Sequence, residues 1–367
     1  MPPIHIMVKP VSGSCNLRCR YCFYADETSR RAEPCRGVMG EETVRALIRK
    51  AFFYADGAVT FSFQGGEPTL AGAGFYRSFL AEVGRSNTRG LPVAFALQTN
   101  ATALTDELCE LFSQNGFLVG VSLDGPKEIH DALRADAGGA GSYDAVRRGI
   151  ALLRRHRADF NLLCVLTEGS AARIGEVWEE LAPFGHLQFI PCLDALDGKE
   201  TAFSLRAETY GRALVEIFDR YRAAFFSSAP VRERRMDNYL SILLGYPPEH
   251  CGMSGRCGVY FLCEADGSVY PCDFYALDEW KLGNVCESSF ARMAASPAAK
   301  RFAEEGSRRP ERCRDCRYLF LCGGGCRRDR EPGLTENRFC ESYRFFFDRR
   351  LGELRALAEA VKKQNRL

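Results

Sequence analysis

The feature that most constrains this chain is its cysteines: seventeen in 367 residues, eleven of them gathered into two groups. The first group is Cys15, Cys19 and Cys22 in CNLRCRYCFY, with no fourth ligand nearby. The N-terminus MPPIHIMVKP lacks a signal-peptide pattern, and no apolar run approaches the roughly 18 residues of a membrane span. The expectation is a cytoplasmic protein without membrane association, in which clustered thiols serve metal binding or catalysis rather than disulfides. Five histidines leave little for cysteine-histidine zinc sites. A structural zinc takes four ligands, usually as two close pairs. Three thiolates on one tight loop can instead hold three irons of a cubane and leave the fourth iron open to a small molecule.

Residues 4 to about 195 alternate short β-branched runs with helix-period stretches, the pattern of a βα repeat. Strands are predicted at 4–10, 58–65, 92–100, 116–125, 160–167 and 186–194. Helices are predicted at 41–55, 73–86, 105–115, 142–157, 172–183 and 206–226. Polar or glycine-bearing residues follow each strand, and in parallel α/β folds such strand ends carry the ligands. Six units predict an α/β fold with a partial (β/α)6 TIM-like barrel, open on one side, over 1–230. A cysteine-rich domain is expected over 231–345 and a C-terminal helix over 346–367. The formal charge of +2 argues against nucleic acid as a partner, and the basic runs RRHR (154–157) and RERR (232–235) read as solvated helix faces.

Ten cysteines fall between Cys251 and Cys340, in a stretch too rich in glycine and arginine to build much apolar core. Bound metal is therefore expected to organise it. Cys251, Cys257, Cys272, Cys313, Cys316, Cys322, Cys326 and Cys340 make eight ligands, the number for two closed four-iron clusters. The C-x2-C pair at 313–316 also suits a zinc ribbon, and the spacing leaves both readings open. Cys35, Cys109, Cys164, Cys192, Cys263 and Cys286 show no partner pattern and are expected to be packing residues.

CNLRCRYCFY resembles the cluster motif of the radical S-adenosylmethionine (radical SAM) superfamily, and Gln64-Gly65-Gly66-Glu67-Pro68 stands where that superfamily has its GGE motif. The downstream cysteines resemble the SPASM extension. From KPVSGSCNLRCRYCFY through FQGGEPTLAG, LQTNAT, GFLVGVSLDGPKEIHD, CGMSGRC and DGSVYPCDFY to CGGGCRRDR, the chain resembles the anaerobic sulfatase-maturating enzymes. Those enzymes oxidise one cysteine or serine of a sulfatase to Cα-formylglycine.

That resemblance implies three [4Fe-4S] clusters and S-adenosyl-L-methionine as cofactors. Cys15, Cys19 and Cys22 would hold the first cluster; Cys251, Cys257, Cys272 and Cys326 the second; Cys313, Cys316, Cys322 and Cys340 the third. It further implies cofactor contacts at Tyr24, Gly66, Ser122, Arg134 and Leu193, pocket positions at Gln64 and Gln98, and Asp273 as the proton acceptor. The implied partners are a sulfatase polypeptide carrying C/S-x-P/A-x-R and an electron donor such as ferredoxin or flavodoxin. The alternative of the same chemistry is a SPASM maturase that forms a thioether or other crosslink in another peptide. A zinc-stabilised binding module is the non-enzymatic alternative.

Overall fold

The structure, a computed structural model, describes residues 3–334 and 336–364. Ten strands occur among them: β1 (Ile4–Val8), β2 (Val59–Phe63), β3 (Val93–Thr99), β4 (Phe117–Ser122), β5 (Phe160–Leu166), β6 (His186–Pro191), β7 (Arg232–Glu233), β8 (Phe261–Cys263), β9 (Ser268–Tyr270) and β10 (Gly283–Asn284). The six strands expected from the sequence are all present, and the fold is α/β with parallel strands, as anticipated. Two compact units are formed. One comprises the chain up to Ser122, Asp131–Phe160 and Gly258–Phe302; the other comprises Leu123–His130, Asn161–Cys257 and the chain from Ala303.

In the first unit β1, β2, β3 and β4 pair in parallel in chain order, with registers such as Val8↔Phe63 and Leu97↔Val119. The intervening helices bury one stripe each. Tyr76, Phe79 and Val83, at helical spacing on Gly72–Ser86, are buried, and Tyr76 and Phe79 meet Phe63 edge-on at 5.2 and 5.0 Å. Each such ring contributes about 1.5–3 kcal/mol by leaving water. β1 does not end this sheet. β8 pairs with it in parallel (Ile6↔Phe261, Val8↔Cys263), and β9 and β10 extend β8 antiparallel. A segment from the cysteine-rich half of the sequence is thus stitched to the first strand.

In the second unit β5, β6 and β7 pair in parallel. Its core is closed by the helices Ala207–Phe225 and Cys340–Gln364. Gly211 lets them approach, since a Cβ there would meet Ser342 and Phe345 at 3.3 Å. Tyr210 packs on Phe339 and Phe218 on Phe346, and Arg350 grips Asp219 with two bonds of 2.7 and 2.8 Å. The helix expected over 172–183 is Ile174–Leu181, and a separate short helix, Glu168–Ala172, precedes it, begun by a capping box at Thr167.

The basic run RERR is a solvated face only in part, since Arg234 is exposed but Glu233 is not. Glu233 is buried, accepts from Met236 N at 2.9 Å as the cap of the helix Arg234–Leu243, and accepts from Phe189 N at 3.2 Å. Among the six cysteines expected to pack, Cys109, Cys164, Cys192 and Cys263 are buried, but Cys35 and Cys286 are exposed. Packing does not explain those two, because their loops leave the thiols in solvent. Among the described residues no helix is long and apolar enough to cross a membrane.

Candidate functional site

The loop after β1 carries Cys15, Cys19 and Cys22, all half-buried, and lies in the first unit. Arg18 N donates to Ala135 O at 2.7 Å and Arg20 N to Leu133 O at 2.9 Å, which pins the stretch between the first two thiols. Asn100, just past β3, donates from Nδ2 to Asn16 Oδ1 at 2.9 Å and lies 3.8 Å from Cys15 Sγ. Cys22 ends the loop as the residue before the short helix Phe23–Ser29.

The Gly65-Gly66-Glu67 stretch after β2 lies directly on this loop. Gly66 N donates to Ser12 O at 3.0 Å and Glu67 N to Ser14 O at 2.8 Å. A Cβ on Gly66 would sit 1.9 Å from Ser14 O, so the second glycine is required by backbone approach to the cysteine loop itself. Gly65 has φ +117 and its missing Cβ makes room for Lys9. Glu67 is buried and fully engaged within the protein. It accepts from Thr69 N (3.0 Å) and Oγ1 (2.5 Å), Thr99 Oγ1 (2.7 Å) and Asn100 N (2.7 Å), and burial outweighs these bonds to raise its pKa. This glutamate ties the end of β2 to the end of β3 and so holds Asn100 beside Cys15.

Asp273 is buried and stands on the loop after β9, next to Cys272. Tyr24 Oη donates to its Oδ1 and Oδ2 at 2.9 and 2.7 Å, and Gln64 Nε2 donates to Oδ2 at 3.2 Å. Two residues assigned separate roles from the sequence, 249 positions apart, are therefore direct partners. Burial pushes the Asp273 pKa up to about 6; the Glu27 and Glu264 carboxylates push the same way, while the Lys9 ammonium and the Tyr24 hydroxyl pull it down. Beneath the pair lies a closed set of buried charges. Lys9 Nζ is 3.3 Å from Glu27, 3.5 Å from Glu264 and 3.9 Å from Asp273, and 4.3 Å from the centre of the Tyr24 ring. Arg31 bonds Glu264 at 2.6 Å and also pairs with Glu27.

The other expected cofactor contacts in the first unit lie at element ends. Ser122 is buried as the last residue of β4, and Arg134 is buried with Nη1 on Tyr21 Oη at 2.7 Å. Gln98 is half-buried in β3 beside Gly120 of β4. Leu193 is half-buried two residues beyond β6, in the second unit.

Seven of the eight downstream thiols belong to the second unit, whereas Cys272 belongs to the first. Cys313, Cys316, Cys322 and Cys340 line one cavity, together with Leu319, Gly324 and Asn337. Cys340 reaches it from the start of the C-terminal helix, and Cys322 from the end of the one-turn helix Leu319–Cys322, which Gly323 closes with φ +60. Cys251 follows the helix Arg234–Leu243 by a short loop. Cys257 packs on Gly306, where a Cβ would meet its Sγ at 2.5 Å. Cys326 caps the turn Arg327–Arg330, its Sγ accepting from Arg328 N at 3.3 Å.

Among the described residues no group of three or more His, Cys, Asp or Glu side chains is closed up around a single metal ion. Four thiolates on one zinc stand about 3.8 Å apart, as the Zn–S bond length requires, and the sulfurs around a cubane are spread wider. Four half-buried thiols around one cavity fit a cubane, and three on the pinned loop after β1 fit one with an open iron. Sequence reading missed Lys9, Glu27, Arg31 and Glu264. The only local signal was the i,i+4 pair Glu27 and Arg31, which on a short helix reads as a solvated face.

Comparisons with known proteins identify the family. The Radical SAM superfamily profile matches residues 10–171, and the profile of the SPASM iron-sulfur cluster-binding domain matches 255–317. The cysteine-type anaerobic sulfatase-maturating enzyme of Clostridium novyi (strain NT) is 39% identical, covering 98% of this chain and 99% of its own. The serine-type enzyme of Bacteroides thetaiotaomicron is 32% identical, over 94% of this chain and 89% of its own. A solved structure of native anSMEcpe with bound AdoMet and Cp18Cys peptide superposes with a TM-score of 0.93 at 36% identity, covering 98% of this chain and 100% of that one. Similarity that runs from end to end in both sequence and fold leaves one conclusion: the chain belongs to the anaerobic sulfatase-maturating enzymes, radical SAM oxidoreductases that carry a SPASM domain.

Proposed function

We propose that this enzyme oxidises one cysteine or serine of a sulfatase polypeptide to Cα-formylglycine, with the Asp273 carboxylate taking up the proton released in that oxidation. The observation that carries the reading is the Tyr24–Asp273 pair beside Cys272, with Gln64 on the same carboxylate. Iron-sulfur clusters and S-adenosylmethionine, when bound, would supply the one-electron chemistry of the oxidation. The protein's own part is positional and acid-base. Tyr24 and Gln64 both donate to Asp273, which holds the carboxylate beside Cys272 as a proton acceptor.

Cys15, Cys19 and Cys22 are assigned to the cluster that binds S-adenosylmethionine, with Tyr24, Gly66, Ser122, Arg134 and Leu193 as its contacts. Arg134, a buried guanidinium, suits a carboxylate such as that of the methionine moiety. The set Cys313, Cys316, Cys322 and Cys340 draws support from their shared cavity. The set Cys251, Cys257, Cys272 and Cys326 rests on the motif resemblance. We assign the domains to 1–230, 231–345 and 346–367, the location to the cytoplasm and the reductant to a ferredoxin or flavodoxin. Greater identity to the cysteine-type relative, 39% against 32%, favours cysteine as the residue oxidised.

Incubating the anaerobically reconstituted enzyme with peptides carrying C-x-P-x-R or S-x-P/A-x-R tests the reading by mass spectrometry. A mass change fitting formylglycine, faster on the cysteine peptide, is expected. A crosslinked product, or cleavage of S-adenosylmethionine with neither peptide altered, would overturn it. Asp273→Asn should keep its iron and lose formylglycine formation by about 10²-fold or more.

A further inference from the structure

We propose that Lys9 is a positioning residue of the oxidation, holding the Tyr24–Asp273 pair in register from beneath. The inference rests on the reading of Asp273 as base. Lys9 follows β1 and is 1% exposed. A lysine so buried is held there by its partners, since an ammonium taken out of water without them is strongly disfavoured. Its ammonium touches both members of the pair, at 3.9 Å from Asp273 Oδ1 and 4.3 Å from the Tyr24 ring centre.

The remaining contacts of Lys9 fix it in place. Glu27, on the same helix as Tyr24, lies 3.3 Å away, and Glu264, on the turn between β8 and β9, lies 3.5 Å away. Arg31 closes the ring by bonding both glutamates. Glu27 Oε2 also accepts from Ala276 N at 3.3 Å, three residues after Asp273. The helix bearing Tyr24 and the loop bearing Asp273 are thus tied to the same four charges. Gly65, whose Cβ would lie 2.8 Å from Lys9 Cγ, leaves the space through which the lysine stem passes.

This arrangement gives Lys9 a task that packing alone does not require. Three carboxylates face two cations: Glu27, Glu264 and Asp273 against Lys9 and Arg31. Arg31 has no ion pair with Asp273, so Lys9 is the cation that keeps this carboxylate drawn under the Tyr24 hydroxyl. Without it Asp273 faces two like charges and keeps only the Tyr24 and Gln64 bonds to hold it in place.

The test compares Lys9→Met, Lys9→Arg, Asp273→Asn and the double variant Lys9→Met/Asp273→Asn, each reconstituted and assayed for iron, 5′-deoxyadenosine and formylglycine. Expected for Lys9→Met are wild-type iron and deoxyadenosine, but about tenfold less formylglycine per deoxyadenosine, a fall in kcat without a matching rise in peptide KM. Lys9→Arg, which keeps the charge, should recover most of that coupling. In the Asp273→Asn background the lysine change should cost nothing more, because it acts through the carboxylate already removed. Unchanged coupling in Lys9→Met, or losses that multiply in the double variant, overturns the role of Lys9. Wild-type coupling in Asp273→Asn overturns the base assignment instead. Should Lys9→Met load less iron, Lys9→Arg against Lys9→Gln decides by the same ratio, and equal ratios overturn the proposal.

Discussion

Gly66→Ala adds one methyl at the point where the strand end after β2 crosses the cysteine loop. The new Cβ would lie 1.9 Å from Ser14 O, 2.4 Å from Ser14 C and 2.8 Å from Gly13 C, where ordinary contact begins at 3.4 Å. All three neighbours are backbone, so no side chain can swing aside, and the two segments must part by about 1.5 Å. That separation breaks Gly66 N to Ser12 O and Glu67 N to Ser14 O, now 3.0 and 2.8 Å. Two backbone groups left unpaired at about 1–3 kcal/mol each make a local cost of about 2–6 kcal/mol. The cost falls on the residue before Cys15. Anaerobic reconstitution should therefore give about eight irons per chain instead of about twelve, with the deficit in the cluster that binds S-adenosylmethionine. Gly74→Ala and Gly84→Ala are the controls. Both lie in the helix Gly72–Ser86 with open space around the Cβ position, and each should be neutral or stabilising by about 0.5–1 kcal/mol. Full iron content and wild-type deoxyadenosine formation in Gly66→Ala would refute the steric reasoning.

Three further outcomes are expected. Arg31→Met leaves Glu27 and Glu264 with only Lys9 and should destabilise the protein by about 3–5 kcal/mol in urea unfolding, the usual cost of orphaning a buried charge. Burial alone would raise the Glu264 pKa, but Lys9 and Arg31 hold it below the ordinary carboxyl value of 4.5. The stability it contributes is complete above 4.5 and disappears as pH falls through the lower folded value, so the gap between wild type and Glu264→Gln in urea midpoint should close in acid. A gap that widens in acid would contradict the ion-pair account. Cys340→Ser should lose about four irons, as should Cys313→Ser, although the two are far apart in the sequence. A smaller loss from Cys340→Ser alone would remove it from the set.

The strand-helix alternation was readable because apolar periodicity is a local property: IHIMV, VTFSF and FLVGVS are short runs rich in β-branched and aromatic residues, and the helices between them carry buried stripes at helical spacing. Cys15, Cys19 and Cys22 were readable for the same reason, three thiols within one loop. RERR and Cys35 misled because exposure is not local. Glu233 is buried with its partners on β6 and at the start of its own helix, and Cys35 is exposed.

What the sequence by itself determined, then, is the order of the βα units, the number of thiols and, through motif resemblance, the family. The tertiary structure alone decided which distant residues meet. Pairing of β8 with β1 brings Glu264 and Asp273 to Lys9, Tyr24, Glu27 and Arg31, across more than 230 positions. The C-terminal helix brings Cys340 to Cys313, Cys316 and Cys322. A charged side chain reads as surface in any local window, since burial is repaid only by partners that the window does not contain.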